Sequence, residues 1–239
     1  MPINPLSGFG SIAQQQNSQR ISDRLQLAVT SLVSGKRVNR ASDDIAALSI
    51  AAQLQTELAS LKEISNNAAQ ATSLLQVADG GAEQIGELVQ ELREIALQAQ
   101  SPATSQANRE NLNTQFQQVI AEIDRIAGNT KFSGKDLLDG SVSGDEAITL
   151  GDVLVSESAE EGNSLSIDDL SSDALFSGQA LNILTADGAQ RALQALELAQ
   201  GRVTATRADI GAFQQSVSYL AASIETAVAN QDAARSVLV

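Results

Sequence analysis

The sequence predicts a mainly α protein, an elongated antiparallel helical bundle with coiled-coil-like seams and one small β-hairpin region. Three observations support this fold class. Of the 239 residues, 43% are hydrophobic but only 3% are aromatic, so the apolar content is mostly Ala, Leu, Ile and Val. Only three residues are Pro. Long stretches repeat small apolar residues every three or four positions, which is the spacing of a narrow helical seam.

The composition excludes most conventional enzyme chemistry. The chain has no His and no Cys. A Ser-His-Asp triad, a Cys-His pair, a His-ligated zinc ion and a disulfide framework are therefore impossible. We expect neither a cofactor nor an enzymatic activity.

Charge is distributed unevenly along the chain. The net charge is −14, and the stretch from Asp136 to Gln190 contains twelve acidic and no basic residues. Without a basic patch, nucleic acid and anionic membranes are not expected partners. The sequence has no apolar run long enough to cross a bilayer, and residues 1–20 lack the basic and apolar regions of a signal peptide.

The first predicted helix ends near Ser34. Gly35 interrupts it, and the two early prolines argue against an ordered start. A second helix is predicted to begin at Ser42, whose hydroxyl can cap it, with Asp43 and Asp44 at the positive end of the helix dipole. The apolar positions of the first helix are Ile21, Leu25, Ala28 and Leu32.

The second helix carries the most regular pattern in the sequence. Its apolar residues alternate steps of three and four, a mean repeat that predicts a left-handed supercoil with a partner helix. Gly80 and Gly81 predict a local kink near Asp79, and Ser101-Pro102 predicts the end of the helix. The seam consists of Ala68, Ala71, Leu75, Ala78, Ala82, Ile85, Val89, Leu92, Ala96 and Ala99.

After Pro102 the sequence predicts a shorter helix and then two short strands. A third helix is predicted from about Ser105 to Ala127, ending in a left-handed cap at Gly128-Asn129. Residues 147–155 and 164–167 are predicted to form short strands or a hairpin. The seam of the third helix is predicted at Leu112, Phe116, Val119, Ile123 and Ile126.

A last long helix is predicted from about Ala186. It repeats the alternation of three and four, so that both long helices can pack in one antiparallel bundle. Its seam is predicted at Ala189, Ala192, Leu196, Ala199, Val203, Thr206, Ile210, Phe213, Val217, Leu220, Ile224 and Ala227.

Several strings resemble bacterial flagellin, and they occur in the order of that family. SLVSGKRVNRASDD at 31–44 resembles the family signature SL.SG.R.N.A.DD, and LREIALQA at 92–99 resembles RELA.QA. EIDRIA at 122–127 with NTKFSG at 129–134, RADIGAFQ at 207–214 and AARS at 233–236 are similar to further family segments. Each string alone is weak evidence, but five in order are specific.

The resemblance implies a secreted structural subunit of the flagellar filament, which self-assembles into the motility propeller. Type III export, filament cap and junction proteins are the implied partners. The implied domains are an inner-layer segment at 1–42 and an outer helical bundle at 43–239, with a short acidic hairpin and loop region at 139–185. The signature residues implied in subunit contacts are Arg37, Asn39, Asp43, Asp44, Arg93, Glu94, Arg125 and Arg207.

The sequence departs from the family pattern at its outer region and at its end. Large outer insertions are absent, and the chain as written stops at Val239, where the family continues into a final apolar helix. We therefore expect the purified chain to fold its bundle but to polymerise poorly, with residues before about Asp43 frayed or rearranged. Normal filaments in electron micrographs would contradict this expectation.

A third departure concerns the family segment that the vertebrate Toll-like receptor for flagellin senses. The family has Arg where this chain has Glu91, Glu where it has Gln115, and Leu where it has Ile95. Reversing a charge at a receptor contact weakens binding through like-charge repulsion. We expect weak receptor activation.

Other interpretations of single features stay open. Asp145, Glu146 and Asp152 could collect calcium, although they lack EF-hand spacing. The many Gln side chains could bind sugar, which would make the chain a flagellin-like surface adhesin or receptor for polysaccharide. A hook–filament junction protein is a third alternative, disfavoured by the EIDRIA and RADIGA strings. Asp43-Asp44 is interpreted as a helix start, or as a salt bridge to Arg37 or Arg40.

Overall fold

The computed structural model describes residues 6–35, 37–40, 42–142, 148–149 and 164–238. They form a mainly α fold, as predicted. The helices are α1 Leu6–Ser34, α2 Ile45–Gln100, α3 Gln106–Asn129, α4 Ser172–Leu175 and α5 Ala186–Leu238. The strands are β1 Lys131–Phe132, β2 Lys135–Asp136, β3 Ile148–Thr149 and β4 Ser164–Leu165.

The chain divides into two compact units, and both long helices contribute residues to each of them. The first unit contains Met1–Lys62 with Glu225–Val239, and the second unit contains Glu63–Ile224. The predicted domain boundary at residue 42 follows a family pattern rather than compactness, and it stays a prediction.

The core of the second unit consists of the seams predicted for α2 and α5. All ten predicted α2 positions from Ala68 to Ala99 are buried, and so are the nine α5 positions from Ala189 to Val217. Leu220 is only partly buried. Small side chains dominate both seams, and Phe213 is the one aromatic residue among these nineteen buried positions.

Helix α3 confirms its predicted start but corrects its seam and its end. Ser105 is the N-cap, and its side chain accepts a hydrogen bond from the N–H of Asn108. Phe116 and Ile123 are fully buried, but Ala127 completes the buried face, whereas Ile126 is half-buried. The predicted left-handed cap at Gly128-Asn129 is wrong: the helix ends at Thr130, which has a φ of −75°.

Two short hairpins follow α3. Strands β1 and β2 pair antiparallel around Ser133 and Gly134, whose φ values of 51° and 85° are those of a two-residue hairpin turn. This hairpin was not predicted. Strands β3 and β4 also pair antiparallel, with Ile148 opposite Leu165, which confirms the predicted hairpin for the described residues.

Helix α2 continues through its glycine pair without a break at Asp79. The predicted local kink near Asp79 stays a prediction, and the structure adds a packing role for Gly81. A Cβ atom at Gly81 would lie 2.7 Å from Thr130 Oγ1 and 2.8 Å from Leu138 Cδ1, whereas a Cβ at Gly80 would meet nothing within 4 Å. Gly81 therefore lets the residues that flank the first hairpin lie directly on α2.

The first unit has a small core and a large exposed apolar surface. Its buried residues include Val38, Ala47, Ala51 and Leu58. Helix α1 begins at Leu6, so the expectation of an unordered segment upstream of Ile21 and of fraying before Asp43 is wrong for the described residues. The predicted α1 stripe is helical but exposed.

Candidate assembly surface

The turn between α1 and α2 is closed by the carboxylate of Asp43. Its Oδ2 accepts hydrogen bonds from the backbone N–H groups of Arg40 at 3.0 Å and Asn39 at 3.3 Å. The amide of Asn39 donates to Ser34 Oγ at 2.8 Å, at the end of α1. Two signature residues, Asn39 and Asp43, therefore fix the path of the chain from one helix to the next.

Asp44, not Ser42, caps α2. Asp44 Oδ1 accepts a hydrogen bond from the N–H of Ala47 at 2.9 Å, and its carbonyl accepts the N–H of Leu48 at 3.1 Å. Ser42 was predicted as the cap because of its residue type, but the helix begins three residues later. The carboxylate lies at the positive end of the helix dipole, as predicted.

Arg37 does not supply the predicted salt bridge to the Asp pair. Its Nη2 donates a hydrogen bond to the backbone carbonyl of Leu238 at 3.1 Å, near the end of α5. A free carbonyl at a helix C-terminus is a favourable partner for a guanidinium group. The same region has a side-chain contact between helices, because Gln231 Nε2 donates to Glu57 Oε2 at 3.0 Å.

Arg207 joins α5 to α2 within the second unit. Its Nε lies 2.9 Å from Asp79 Oδ1, and its Nη2 lies 3.8 Å from Glu83 Oε1. The hydrogen bond to Asp79 raises the pKa of Arg207, with a smaller contribution from the charge of Glu83. The guanidinium stays charged, so this pair fixes the register of the two long helices beside Gly81.

The remaining signature residues lie on the solvent side of their helices. Arg93 and Glu94 are exposed on α2. Arg125 pairs with Glu122 on the surface of α3, and this hydrogen bond lowers the pKa of Glu122. The eight signature residues therefore do not form one site: half lie in the first unit and half in the second.

The residues of the predicted receptor segment lie on α2 and α3. Glu91 and Gln115 are exposed, whereas Ile95 is half-buried and packs against the core. Glu91 is nine residues from the end of α2 and Gln115 is nine residues from the start of α3. Because a short turn joins the two helices, both residues lie about 14 Å along their helices from that turn.

Sequence reasoning missed the residue that holds this turn. Arg109 donates from Nε to the carbonyl of Ala99 at 2.9 Å and from Nη2 to the carbonyl of Ser101 at 3.1 Å. Both carbonyls lie at the C-terminal end of α2. The sequence did carry a signal for this role, because Arg109 lies in the first turn of α3, only a short turn after the end of α2. Basic side chains near a helix C-terminus commonly satisfy its free carbonyl groups.

Polar side chains of α3 position the segment between β4 and α5. Gln117 Nε2 donates to the carbonyl of Leu181 at 2.8 Å, and Asn113 Oδ1 accepts the N–H of Ile183 at 3.0 Å. Asp124 accepts hydrogen bonds from the N–H and hydroxyl of Ser172. The three side chains bind backbone and hydroxyl groups of a segment that is not paired in a sheet. Residue type alone could not distinguish this role from that of ordinary solvent-exposed polar side chains.

The described residues contain no cluster of three or more side chains suited to a metal ion. Asp145, Glu146 and Asp152, named above for calcium, lie outside the described residues. Asp169 uses its Oδ1 to accept the N–H of Ser171 at 2.8 Å, which is turn chemistry. No helix in the described part of the chain is long and apolar enough to cross a membrane.

The fold and these surfaces define a class of protein: a helical bundle whose charged signature residues lie in turns and on helix surfaces. Comparisons with known proteins are more specific. The family of the bacterial flagellin N-terminal helical region matches residues 9–143, more than half of the chain. The chain belongs to the bacterial flagellin family.

Relatives that match most of the chain agree. Flagellin FlaB1 of Treponema pallidum is 28% identical over 87% of this chain and 76% of its own length. A flagellin of Halalkalibacterium halodurans is 31% identical over 88% of this chain and 76% of its own length. The chain is a structural protein of the flagellar filament, exported to the cell surface, and it self-assembles.

Solved structures support the fold. The crystal structure of Bacillus cereus flagellin has a TM-score of 0.56 at 23% identity, covering 66% of this chain and 88% of that one. A flagellar hook-associated protein of Vibrio parahaemolyticus has a TM-score of 0.66 at 12% identity, covering 82% of this chain and 99% of that one. The flagellin and the hook-associated protein both resemble this helical fold, so the fold alone does not separate filament proteins from junction proteins. The sequence relatives favour the filament.

Proposed function

We propose that this chain enters the flagellar filament through helix surfaces that are exposed in the single subunit, first among them the apolar face of α1. The observation that carries this proposal is the exposure of that face. Ile21 is 55% exposed, Leu25 61% and Leu32 82%. Contiguous apolar surface on a soluble protein marks an interaction site, since covering it removes apolar area from water.

The signature residues of the first unit have a positioning role in this proposal. Asp43 and Asn39 close the turn after α1, Asp44 starts α2, and Arg37 binds the end of α5. These contacts connect α1 to the rest of the first unit, so they set the direction in which α1 presents its apolar face. Arg93 and Glu94 are exposed and available for contacts with neighbouring subunits.

The test uses cells in which this chain is the sole flagellin. Electron microscopy should show filaments with the wild-type chain and none with Leu32→Glu, because a carboxylate on the covered face must be desolvated. Gln26→Glu, on an exposed polar position of the same helix, is the matched control and should keep filaments. Normal filaments with Leu32→Glu would contradict the proposal. The poor polymerisation expected of the purified chain stays a separate prediction.

Further partners belong to the same proposal. Export through the flagellar type III apparatus, and contacts with filament cap and junction proteins, follow from family membership. The fold shared with a hook-associated protein is compatible with end-to-end contacts between similar bundles. Polysaccharide binding is not favoured, since Gln117, one of the Gln side chains that suggested it, is engaged with the backbone of Leu181.

We also propose weak activation of the vertebrate flagellin receptor. Glu91 and Gln115 are exposed at the same distance from the α2–α3 turn, so a receptor that contacts both helices would meet both differences from the family pattern. A reporter-cell assay should show higher potency for the double variant Glu91→Arg with Gln115→Glu than for the wild type. Equal potency, or full potency of the wild type, would contradict the proposal.

A further inference from the structure

Residues 165–183 connect the hairpin strand β4 to α5, and we call this segment the strap. Its middle contains α4, which packs on α3. Its backbone is hydrogen-bonded to the segment that follows β2, because the N–H of Leu170 donates to the carbonyl of Leu138 at 2.9 Å. The N–H of Ile167 donates to the carbonyl of Val142 at the same distance, 2.9 Å. Seven apolar residues of the strap are buried in the core of the second unit: Leu165, Ile167, Leu170, Leu175, Phe176, Leu181 and Ile183.

Side chains from two different helices hold the two ends of α4. At its start, Asp124 of α3 accepts hydrogen bonds from the N–H of Ser172 at 2.8 Å and from its hydroxyl at 3.0 Å. At its end, Arg202 of α5 donates to the carbonyl of Ala174 and to Ser177 Oγ. A free N–H at the start of α4 and a free carbonyl at its end are thus satisfied from outside the strap, which thereby connects α3 to α5.

Two features oppose the closed position of the strap. Ser177, directly after α4, has a φ of 57°, in the left-handed region that residues other than Gly rarely adopt. The strap also carries Asp168, Asp169 and Asp173 and no basic residue, and it lies on a unit with 23 acidic and 8 basic side chains. Closing the strap therefore adds negative charge to a negative surface, against the gain from burying its apolar residues.

The side chains that hold α4 are weak fasteners. Asp124 and Arg202 are both exposed, so water competes for the hydrogen bonds that they make to the strap. Helices α2 and α5, in contrast, are held by continuous buried seams and by hydrogen bonds within each helix. A segment fastened by a few exposed bonds opens at a lower free energy than packed helices do.

We infer that the strap is a latch, which opens and closes as one unit while α2 and α5 stay packed. Asp124 and Arg202 are its two catches. The open form exposes the apolar residues of the strap to water and releases α4 from α3, so that closing the latch completes the core of the second unit. The latch works within a single subunit and needs no assembly. Failure of this inference therefore leaves the proposed function untouched, and the reverse also holds.

The first experiment is residue-resolved hydrogen exchange of the purified chain at neutral pH. In the wild type, the amides of Leu170, Leu175 and Ile183 should share one degree of protection. It should be at least about tenfold lower than the protection of Ile85 in α2 and Ile210 in α5. Equal protection of the strap and of these two seam positions would overturn the inference, because the strap would then open only with the whole unit. The acceptors of the three strap amides are Leu138, Ser171 and Asn113.

Variants of the two catches test whether the strap opens as one unit. Asp124→Ala and Arg202→Ala should each raise the exchange rates of Leu170 and Ile183 together by about fivefold. The exchange rate of Ile85 should change by less than about twofold. Leu170 and Ile183 bind neither catch, so a joint increase requires that the loss of one catch opens the whole strap.

The matched controls remove similar side chains from the same two helices. Glu122→Ala removes a carboxylate two residues before Asp124, and Arg191→Ala removes an exposed guanidinium group from α5. Both controls should leave the exchange of the strap amides unchanged. An increase confined to Ser172 in Asp124→Ala would overturn the inference, because the contact would then be local. An equal increase at Ile85 would also overturn it.

Limited proteolysis gives an independent measurement. Residues 136–190 contain no Lys or Arg, so trypsin cannot cut the strap, whereas chymotrypsin can cut it after Leu175 or Phe176. Arg202→Ala should speed chymotrypsin cleavage at these two bonds about fivefold, because cleavage follows the population of the open strap. Arg191→Ala should leave it unchanged. Equal cleavage of the wild type and Arg202→Ala at these bonds would overturn the inference.

Discussion

The two compact units use the same kind of helical pattern with opposite results. In the second unit, the seams of α2 and α5 bury their apolar residues against each other, and Leu75, Ile85 and Leu196 are at most 1% exposed. In the first unit, α1 carries a similar spacing, yet Leu25 and Leu32 lie mostly in solvent. The comparison teaches that the periodicity predicts a helix face, whereas burial requires a second face to cover it.

The largest expected effect tests whether the apolar residues of the second unit are buried in the monomer while those of α1 are not. Phe116→Ala removes a fully buried ring from α3 and should destabilise the second unit by ~3–5 kcal/mol. Leu32→Ala, at a position 82% exposed, should leave the thermal unfolding of the monomer unchanged. Circular dichroism melts of both variants measure this. Similar losses at both positions would show that α1 is packed in the monomer.

A smaller effect is expected at the contact between α2 and the first hairpin. Gly81→Ala places a methyl group against Thr130 and Leu138, so we expect a net loss of ~1–2 kcal/mol, because overpacking outweighs the gain in helix propensity. Gly80→Ala has open space and should instead stabilise the protein by ~0.5–1 kcal/mol. Urea unfolding measures both variants. Stabilisation by Gly81→Ala would mean that the hairpin moves away at little cost.

The third prediction concerns the start of α2 in the first unit. Asp44→Ala should cost ~1 kcal/mol, because the N–H of Ala47 loses its acceptor. Asp44→Asn keeps an acceptor and should cost less, and Ser42→Ala should cost nothing measurable. Hydrogen exchange of the first turn of α2 reports this locally. A larger effect at Ser42 than at Asp44 would restore the sequence-based assignment of the cap.

The smallest expected effect is at the surface pair of Glu122 and Arg125. The pair is exposed, so Glu122→Gln should leave the melting temperature at neutral pH unchanged within error. The lowered pKa of Glu122 sets the sign of any residual contribution: it is present at neutral pH and disappears as the pH falls through that pKa. A clear loss of stability at neutral pH would show that the pair is better shielded from water than its exposure indicates.

The parts of the fold that the sequence predicted follow from periodicity. The ten α2 positions and most of the α5 positions were placed correctly, because a repeat of three and four over many turns permits one buried face. Prediction failed at the ends of elements. Asp44 caps α2 in place of Ser42, and α3 ends at Thr130 in place of the Gly128-Asn129 pair. Several residues near each helix end could form a cap, and the path of the backbone decides which of them does.

The candidate surfaces were predicted less completely. Family strings named Arg37 and Arg207 as important, but the sequence could not show that Arg37 binds the carbonyl of Leu238 or that Arg207 binds Asp79. These partners lie 201 and 128 residues away along the chain. Local patterns contain no information about such distances. Asn113 was missed because its partner is the backbone N–H of Ile183, which leaves no trace in a residue pattern. Arg109 also binds backbone groups, but its position close to the end of α2 was a signal that the prediction did not use.

The sequence by itself determined the long helices, their apolar seams and the exclusion of His- and Cys-based chemistry, because these depend on residue type and spacing alone. Only the tertiary structure decided which apolar faces remain exposed. The α1 face has the same spacing as the buried seams, and its exposure follows from the absence of a covering element among the described residues. Spacing is local along the chain, whereas burial depends on which helices pack together, and that arrangement leaves the α1 face open for assembly.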